Sequence, residues 1–494
     1  MALDSHIYTI LEPSIKLEPM QMPNIGERAT GDGISDTQGG AAPYIKINEY
    51  VFTQGDIEDF TLDLNGKYPE IRARISDRQG LLSVDKFPRD GDILSLRIQL
   101  DEAGTYKDIR MDFNILEFKG FPTNATEITN GSGSVYRVRA IARIPGMYTD
   151  ECKSYGENTS LEHIKLIAQD LQLGLATNIG ATDDKMRRFC AYQSKLELIS
   201  DTVLHSYVSD NAFQTYSIDP YYYINYVDLQ TVFNAPNDIE IHEMISAKVF
   251  NERGTDPKEG AGKSDVQLIL SNHHLVNGTN QYIESYNLLN NATQVALENG
   301  YKRKMQFFDL ANTNTLVEFD VESLVSSTIA DNEEPLKGRR NNDNDEWASH
   351  YKQKYVGIQS DATHLNYNFA AVNNIQNMVE LDKLQLEVEL AVANPALYKY
   401  MKVPVTIYNY KISTAALQDD QNKKAIEDGF TTKESELQAE SVKQDGDYST
   451  FTLDEFLSGH YVIIGIQYKY NQDDQYRQVL KLARREWPAQ MGNM

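Results

Sequence analysis

Between residues 44 and 144 hydrophobic and polar positions alternate with a period of two. Phe60, Leu62 and Leu64 are separated by Thr61 and Asp63, and Leu94, Leu96, Ile98 and Leu100 by Ser95, Arg97 and Gln99. Met111, Phe113 and Ile115 follow, then Tyr136, Val138, Ala140 and Ala142 interleaved with Arg137, Arg139, Ile141 and Arg143. Successive side chains of a strand point to opposite faces, so this pattern predicts antiparallel strands with one face on a core and the other in water. Gly66, Pro69, Gly80, Pro88, Gly91, Gly104, Gly131 and Gly133 supply the turns. About five or six short strands in about a hundred residues predict a small closed barrel or a sandwich.

From residue 147 to about 233 the period changes. Thr159 with Glu162 has capping-box spacing, and Leu161, Ile164, Ile167, Ala168 and Leu171 recur on one helical face before Gly174. A second box, Ser194 with Glu197, opens a helix whose expected inward face is Leu196, Ile199, Val203 and Tyr207. Two short strands, 213–219 and 221–230, flank Pro220. The segment reads as an α+β unit of two amphipathic helices and a hairpin.

Strands dominate again from residue 239: 245–250, 266–270, 303–310 and 315–321, the last two forming a hairpin across Asn312, Thr313 and Asn314. Residues 331–346 read as a polar loop. After Asn373 a short helix-like stretch leads into Leu384, Leu386, Val388 and Leu390, which alternate with Gln385, Glu387 and Glu389. Strands at 403–410, 461–470 and 476–484 complete the pattern, with a polar insertion at 414–448. Residues 1–43, with Pro13, Pro19, Pro23, Pro43 and a Gly-rich stretch at 31–40, read as an extended arm that orders only against something else or stays mobile.

Composition narrows the function classes. The chain has 494 residues, 41% apolar and 24% charged, an ordinary globular balance with room for roughly three domains. Lys and Arg number 47 against 72 Asp and Glu, a formal charge of −25 that argues against a sequence-independent DNA binder. No apolar run approaches the ~20 residues that span a bilayer, and Asp4, His6 and Glu12 interrupt any secretory-signal pattern. With only Cys152 and Cys190, neither a disulfide scaffold nor a Cys-rich zinc site can carry the fold; two free buried thiols are expected. The 30 Tyr against 17 Phe suit half-buried strands and wet interfaces.

Residues 260–264 read Gly-Ala-Gly-Lys-Ser, but a phosphate loop needs a glycine where Pro257 stands, and proline has no amide hydrogen to offer a phosphate. His242 and Glu243 begin a His-Glu pair, yet the second zincin histidine would fall on Ser246. Adjacent His273 and His274 point to opposite faces of any strand. No Gly-x-Ser-x-Gly elbow occurs, and an abundance of carboxylates is not a facing pair. No catalytic, cofactor-binding or metal residue is therefore assigned, and no enzyme is expected.

The C-terminal strands carry a more specific pattern. Leu457-Ser458-Gly459-His460-Tyr461 leads into a strand to Tyr470, the polar turn Asn471-Gln472-Asp473-Asp474 follows, and a strand from Tyr476 ends in Arg-Arg-Glu-Trp. This resembles the closing hairpin of the central hub proteins of contractile phage baseplates, a family that includes phage late-control tail proteins and the VgrG spike proteins of type VI secretion. Residues 387–408 look like the family's preceding hairpin, and 160–230 is similar to the α+β domain between its barrels. The order along the chain gives the resemblance its weight, over most of 44–235 and 380–485. There are departures: Asn394-Pro395-Ala396-Leu397 replaces a turn that often holds glycine, and no Val-Gly or β-helix repeats follow Trp487, so any needle is expected to be a separate chain.

The resemblance implies a mainly β, α+β chain of two tandem small β-barrels with an inserted two-helix domain and a second inserted region. Expected divisions are an arm at 1–43, a first barrel at 44–146, and the α+β domain at 147–235. The second barrel begins within 236–380 together with an insertion, resumes at 381–485, and leaves a tail at 486–494. The implied role is structural: a homotrimeric, pseudo-sixfold hub joining a sixfold tail tube to a threefold spike, made in the host cytoplasm and resident in the virion. Tail tube and spike proteins are the implied partners, with a tape-measure protein and baseplate wedge beyond them. DNA would pass through an acidic bore without binding. Two alternatives stay open, a tail-associated cell-wall glycosidase and a carbohydrate- or receptor-binding module.

Overall fold

The computed structural model describes residues 7–20, 42–53, 55–77, 82, 88–99, 107–122, 134–234, 244–246, 282–291, 294, 302–310, 315–321, 333–335, 352–390, 393–394, 397–412, 449–453, 457–471, 475–484 and 486–488. They are mainly strands with few helices. The chain divides into two units, one of residues 1–238, 286–402 and 461–494, the other of 239–285 and 403–460.

In the first unit, the chain begins with strand β1 (Tyr8–Leu11) and continues through β2 (Ala42–Ile47), β3 (Tyr50–Phe52), β4 (Ile57–Asp63), β5 (Glu70–Asp77), β6 (Ile93–Gln99), β7 (Ile109–Pro122) and β8 (Ser134–Ala142). Alternation is preserved in space: Phe60, Leu62, Ile71, Ala73, Ile75, Val138 and Ala140 are all buried, while Asp59, Arg72, Arg137 and Arg139 face water. Each large apolar side chain so removed from solvent contributes about 1.5–3 kcal/mol, which selects this register over one slipped by a residue.

Next come β9 (Asp150–Asn158), α1 (Ser160–Asp170), β10 (Gly174–Thr177), β11 (Met186–Ser194), α2 (Lys195–Leu204), β12 (Gln214–Ile218), β13 (Tyr223–Asp228) and α3 (Leu229–Phe233). Both expected capping boxes are present, with Thr159 and Ser194 as N-caps and Glu162 and Glu197 closing them. The buried face of α2 is Leu198, Ile199, Thr202 and Val203, with Leu196 only half-buried. Tyr207 lies beyond the helix end. The face is broader than its apolar periodicity because α2 packs against α1, β12 and a later helix. Strands β12 and β13 form the expected antiparallel hairpin, pairing Tyr216 with Tyr226. The second strand stops at Asp228, short of the expected residue 230, because the Asp228 carboxylate accepts from Gln230 N and caps α3.

Strand β1 pairs antiparallel with β10, and β10 runs parallel to β13. The described part of the arm therefore docks on the chain's own body. Ser14 N donates to Gln172 O at 2.9 Å, Glu18 N to an Asp112 carboxylate oxygen at 2.6 Å, and Lys46 Nζ to Pro19 O at 2.6 Å.

The other unit contains β14 (Met244–Ser246), parallel to the start of β15 (Tyr282–Asn290). Back in the first unit, β16 (Lys302–Asp309) and β17 (Thr315–Val321) form the hairpin expected from the sequence, in register from Arg303 opposite Val321 to Asp309 opposite Thr315. Then come β18 (Glu333–Pro335), β19 (Lys352–Gln359), parallel to β16, and α4 (Tyr367–Glu380). Helix α4 begins before Asn373 and is longer than expected. Its buried positions include Asn368, Asn373, Asn374, Gln376, Asn377 and Glu380, so no apolar stripe marks it.

Strand β20 (Leu384–Leu390) is followed by β21 (Lys402–Thr406) and by β22 (Tyr408–Ile412), which pairs with β23 (Ser449–Leu453) in the second unit. Strands β24 (Gly459–Asn471), β25 (Gln475–Ala483) and β26 (Glu486–Pro488) end the chain. In the first unit the pairings assemble one antiparallel ladder in the order β20, β25, β24, β4, β5, β8, β7, β6, β2, β3. The link between its early and late strands is β4 against β24, running from Asp63 opposite Gln467 to Asp59 opposite Asn471.

Candidate functional site

Most motifs weighed for chemistry, residues 242–243, 257, 260–264 and 273–274, lie outside the described residues. Ser246 closes strand β14. Both cysteines are free, but only Cys190 is buried; Cys152 is exposed, because β9 and β11 make a two-stranded ribbon with one face in water. Among the described residues no group of three His, Cys, Asp or Glu side chains could hold a metal ion, and no helix is long and apolar enough to cross a membrane.

Three places concentrate chemistry. The first is a polar cluster at the junction of α1, β11, α2 and α4. Asp184 accepts from Ser160 N at 2.9 Å and Tyr207 N at 3.0 Å, holding the start of α1 against the end of α2. Arg188, 3% exposed in its side chain, donates to Ser160 Oγ at 3.1 Å and lies 3.5 Å from Asp201, which also meets His205 Nδ1 at 3.1 Å. Burial pushes the Asp201 carboxyl up, but the His205 hydrogen bond and the His205 and Arg188 charges outweigh it and leave it below the usual range. Tyr367 stacks on His205 at 3.8 Å, and the His364 ring nitrogen Nε2 lies 2.9 Å from His205 O. Burial lowers the pKa of Arg188 and of His364. The cluster faces inward, so it fixes the mutual register of four elements.

Asn374 extends that junction. Its Oδ1 accepts from Gln214 N at 2.9 Å, and its Nδ2 donates to the carbonyls of Val203, Leu204 and Ser206 at 3.2, 2.9 and 3.3 Å. Val203 and Leu204 end α2 and Ser206 lies just beyond it, where helix-terminal carbonyls need partners from outside the helix. One side chain from α4 thus closes α2 and ties it to β12.

The second place is the seam between β4 and β24. Phe60 stacks on Tyr470 with ring centroids 5.7 Å apart and meets Tyr476 at 6.2 Å. Tyr468 stacks on Tyr476 at 6.0 Å, and Gln467 donates to Asp63 at 3.1 Å. Burial raises the phenol pKa of Tyr468 and Tyr476 well above the ordinary value, so both hydroxyls stay neutral. Lys399 crosses the seam, donating to the carbonyls of Leu64, Asn65 and Gly66. Loss of hydration pulls its pKa down to about 7, with Lys67 acting the same way and Asp63 opposing.

The third place is the solvent-facing side of the ladder together with the β9–β11 ribbon. Across the ladder Lys469 is opposite Thr61, Thr61 opposite Arg72, Arg72 opposite Arg139, and Arg139 opposite Glu117. The neighbouring row sets Arg74 opposite Arg137 and Arg137 opposite Lys119. On the ribbon, Phe189 is 64% and Tyr192 82% exposed, and Tyr192 holds a left-handed backbone at φ 53°. The rows were in the sequence as the polar half of each alternation; which strands would be neighbours was not.

No protein-family model matches the chain, and no curated protein matches its sequence. Solved structures do match it over nine-tenths of its length. The tail protein from Neisseria meningitidis MC58 aligns with a TM-score of 0.46 and 7% identity, over 90% of this chain and 97% of that one. The 43 kDa tail protein of prophage MuSo2 from Shewanella oneidensis aligns at 0.48 and 8% identity, over 90% and 98%. The E. coli c3393 protein, a type VI secretion component described as similar to the phage T4 tail proteins gp27 and gp5, aligns at 0.39 and 8% identity, over 90% and 77%.

Proposed function

We infer that this chain is a structural virion protein, the central hub of a contractile phage tail baseplate, acting by assembly rather than catalysis. The observation that carries the reading is the β4–β24 pairing, which makes strands from the two outer thirds of the chain neighbours in one antiparallel wall. Sheets laid edge to edge are how a subunit contributes to a ring without leaving strand edges open. Two tandem barrels per chain and three chains per ring then give six similar units around an axis, matching a sixfold tube above and a threefold spike below. The tyrosines support the same reading. Tyr216, Tyr226, Tyr400, Tyr461, Tyr468 and Tyr470 are buried in the body, whereas a carbohydrate-binding module would set such rings out in a groove.

In this role the partners are two further copies of the chain, the tube and spike proteins, and beyond them tape-measure and wedge proteins. A net charge of −25 suits an acidic bore through which DNA slides without adhering. The test is a native mass measurement of the full chain, alone and mixed with the candidate spike protein. Three copies of 56.1 kDa, alone or joined to three spike chains, are expected. A monomer under both conditions overturns the reading, as does peptidoglycan-degrading activity in a zymogram.

A further inference from the structure

The arm at residues 7–20 is gripped mainly by its backbone. Without β1, strand β10 would be the open edge of the sheet β1-β10-β13-β12, a ready template for another extended chain. Past β1, Gln172 O accepts from Ser14 N at 2.9 Å and the Asp112 carboxylate accepts from Glu18 N at 2.6 Å. Lys46 Nζ donates to Pro19 O at 2.6 Å, and Arg110 donates to Glu18 O. Two arm carboxylates add to this grip: Glu12 accepts from Tyr223 OH, and Glu18 lies 3.3 Å from the Arg143 guanidinium. Leu11, Pro13, Ile15 and Leu17, at every second position, are half-buried, and Glu12, Ser14 and Lys16 between them are exposed. Not one of residues 7–20 is fully buried.

The receiving side is held by the body itself. Asp112, 2% exposed, accepts from Ser95 Oγ at 2.6 Å and has Arg110 at 4.0 Å, while its backbone N donates to Tyr222 OH at 2.8 Å. The connection to the arm is also longer than docking requires. Pro19 O touches Lys46 on β2, yet residues 21–41, with glycines at 26, 31, 33, 39 and 40, separate the arm from that strand. A chain of that length can reach about 70 Å.

We propose that β10, Gln172, Asp112, Arg110, Arg143 and Lys46 form a strand-accepting groove in which the arm is an exchangeable occupant, and that an extended acidic segment of a partner protein takes its place. In this mode of recognition main-chain hydrogen bonds supply the affinity and alternate side chains the selectivity. The contacts made by the arm specify the partner's chemistry: apolar residues at alternate positions, and two carboxylates six residues apart to meet Tyr223 and Arg143. Arg110, Arg143 and Lys46 favour an acidic occupant over a basic one. The arm holds the groove through the high effective concentration its tether gives it, not through buried area. A partner segment displaces it once its own local concentration is comparable.

The test uses the full chain with a protease recognition sequence inserted between Gly39 and Gly40, cut and uncut, with near-UV circular dichroism verifying the fold. The probe is a fluorescent synthetic peptide of residues 7–20, its binding read by polarisation. The cut chain, freed of its arm by gel filtration, is expected to bind the peptide saturably and at least about a hundredfold more tightly than the uncut chain, where the tethered arm competes. Changing both peptide glutamates to glutamine should weaken binding at least about tenfold. In an Arg143→Gln chain the Glu18→Gln peptide should bind as well as its parent. A peptide of different apolar residues that keeps the alternation and both glutamates should bind within about tenfold of the arm peptide. If only the arm peptide binds, the groove is reserved for the arm and the proposed partner is overturned. A cut chain that keeps its arm, loses its fold or binds no peptide makes the arm a fixed part of the body and overturns the inference outright. None of these outcomes bears on the hub reading, which the mass measurement decides.

Discussion

Lys399 Nζ donates to the carbonyl oxygen of Gly66 at 2.8 Å, although 333 residues separate the two in sequence. The same ammonium reaches Asn65 O at 3.1 Å and Leu64 O at 3.2 Å, so one side chain gathers the turn that follows β4. This ties the late part of the chain to the early part beside the seam where β4 meets β24.

A pH dependence follows from that clamp. The ordinary lysine pKa is 10.5, and in the folded chain loss of hydration brings Lys399 to about 7. Between these values the unfolded chain holds a proton that the folded chain lacks, so the contribution of Lys399 to stability rises with pH across this window. Urea unfolding at several pH values should show the wild-type stability rising relative to Lys399→Met from about pH 7 to 10.5. A constant difference across the window would refute the assignment.

Phe60 is the aromatic anchor of the seam, stacked on Tyr470 and 1% exposed. Phe60→Ala should cost about 3–5 kcal/mol by chemical denaturation. A double-mutant cycle with Tyr470→Ala should give a coupling of about 0.5–1.5 kcal/mol. Additive effects would mean that the rings only fill space.

Gly174 holds the arm against the body. A Cβ there would stand 2.4 Å from the Tyr223 ring and 2.9 Å from the Leu11 carbonyl. Gly174→Ala should therefore cost about 1–3 kcal/mol. It should also speed hydrogen exchange of the amides of β1, while leaving those of β4 and β24 protected. Unchanged exchange in β1 would show that the arm does not depend on this close approach.

Asn374→Ala removes the donor that serves the last carbonyls of α2 and should destabilise by about 1–3 kcal/mol. Thr159→Ala, which removes one half of an exposed capping box, should cost only about 1 kcal/mol. Thermal unfolding of the two variants ranks them; a larger loss for Thr159→Ala would contradict the role given to Asn374.

What the sequence by itself determined is whatever depends on neighbours in the chain. Alternation at 60–64, 94–98 and 136–142 specified strands because side-chain direction is a local property of extended backbone. Thr159 with Glu162 and Ser194 with Glu197 specified helix starts because a capping box closes within four residues. Of helix α4 only the part after Asn373 was legible, because its buried side is built from asparagines whose hydrogen-bond partners, Val203, Ala212 and Gln214 among them, come from elsewhere in the chain. Tertiary structure alone decided that β4 lies beside β24, that Lys399 closes over Gly66, and that Arg72 confronts Arg139. The physical reason is that a strand's pattern states which face it buries but not which strand it meets. That choice is made by the packing of whole sheets, where Phe60 meets Tyr470 across some four hundred residues of chain.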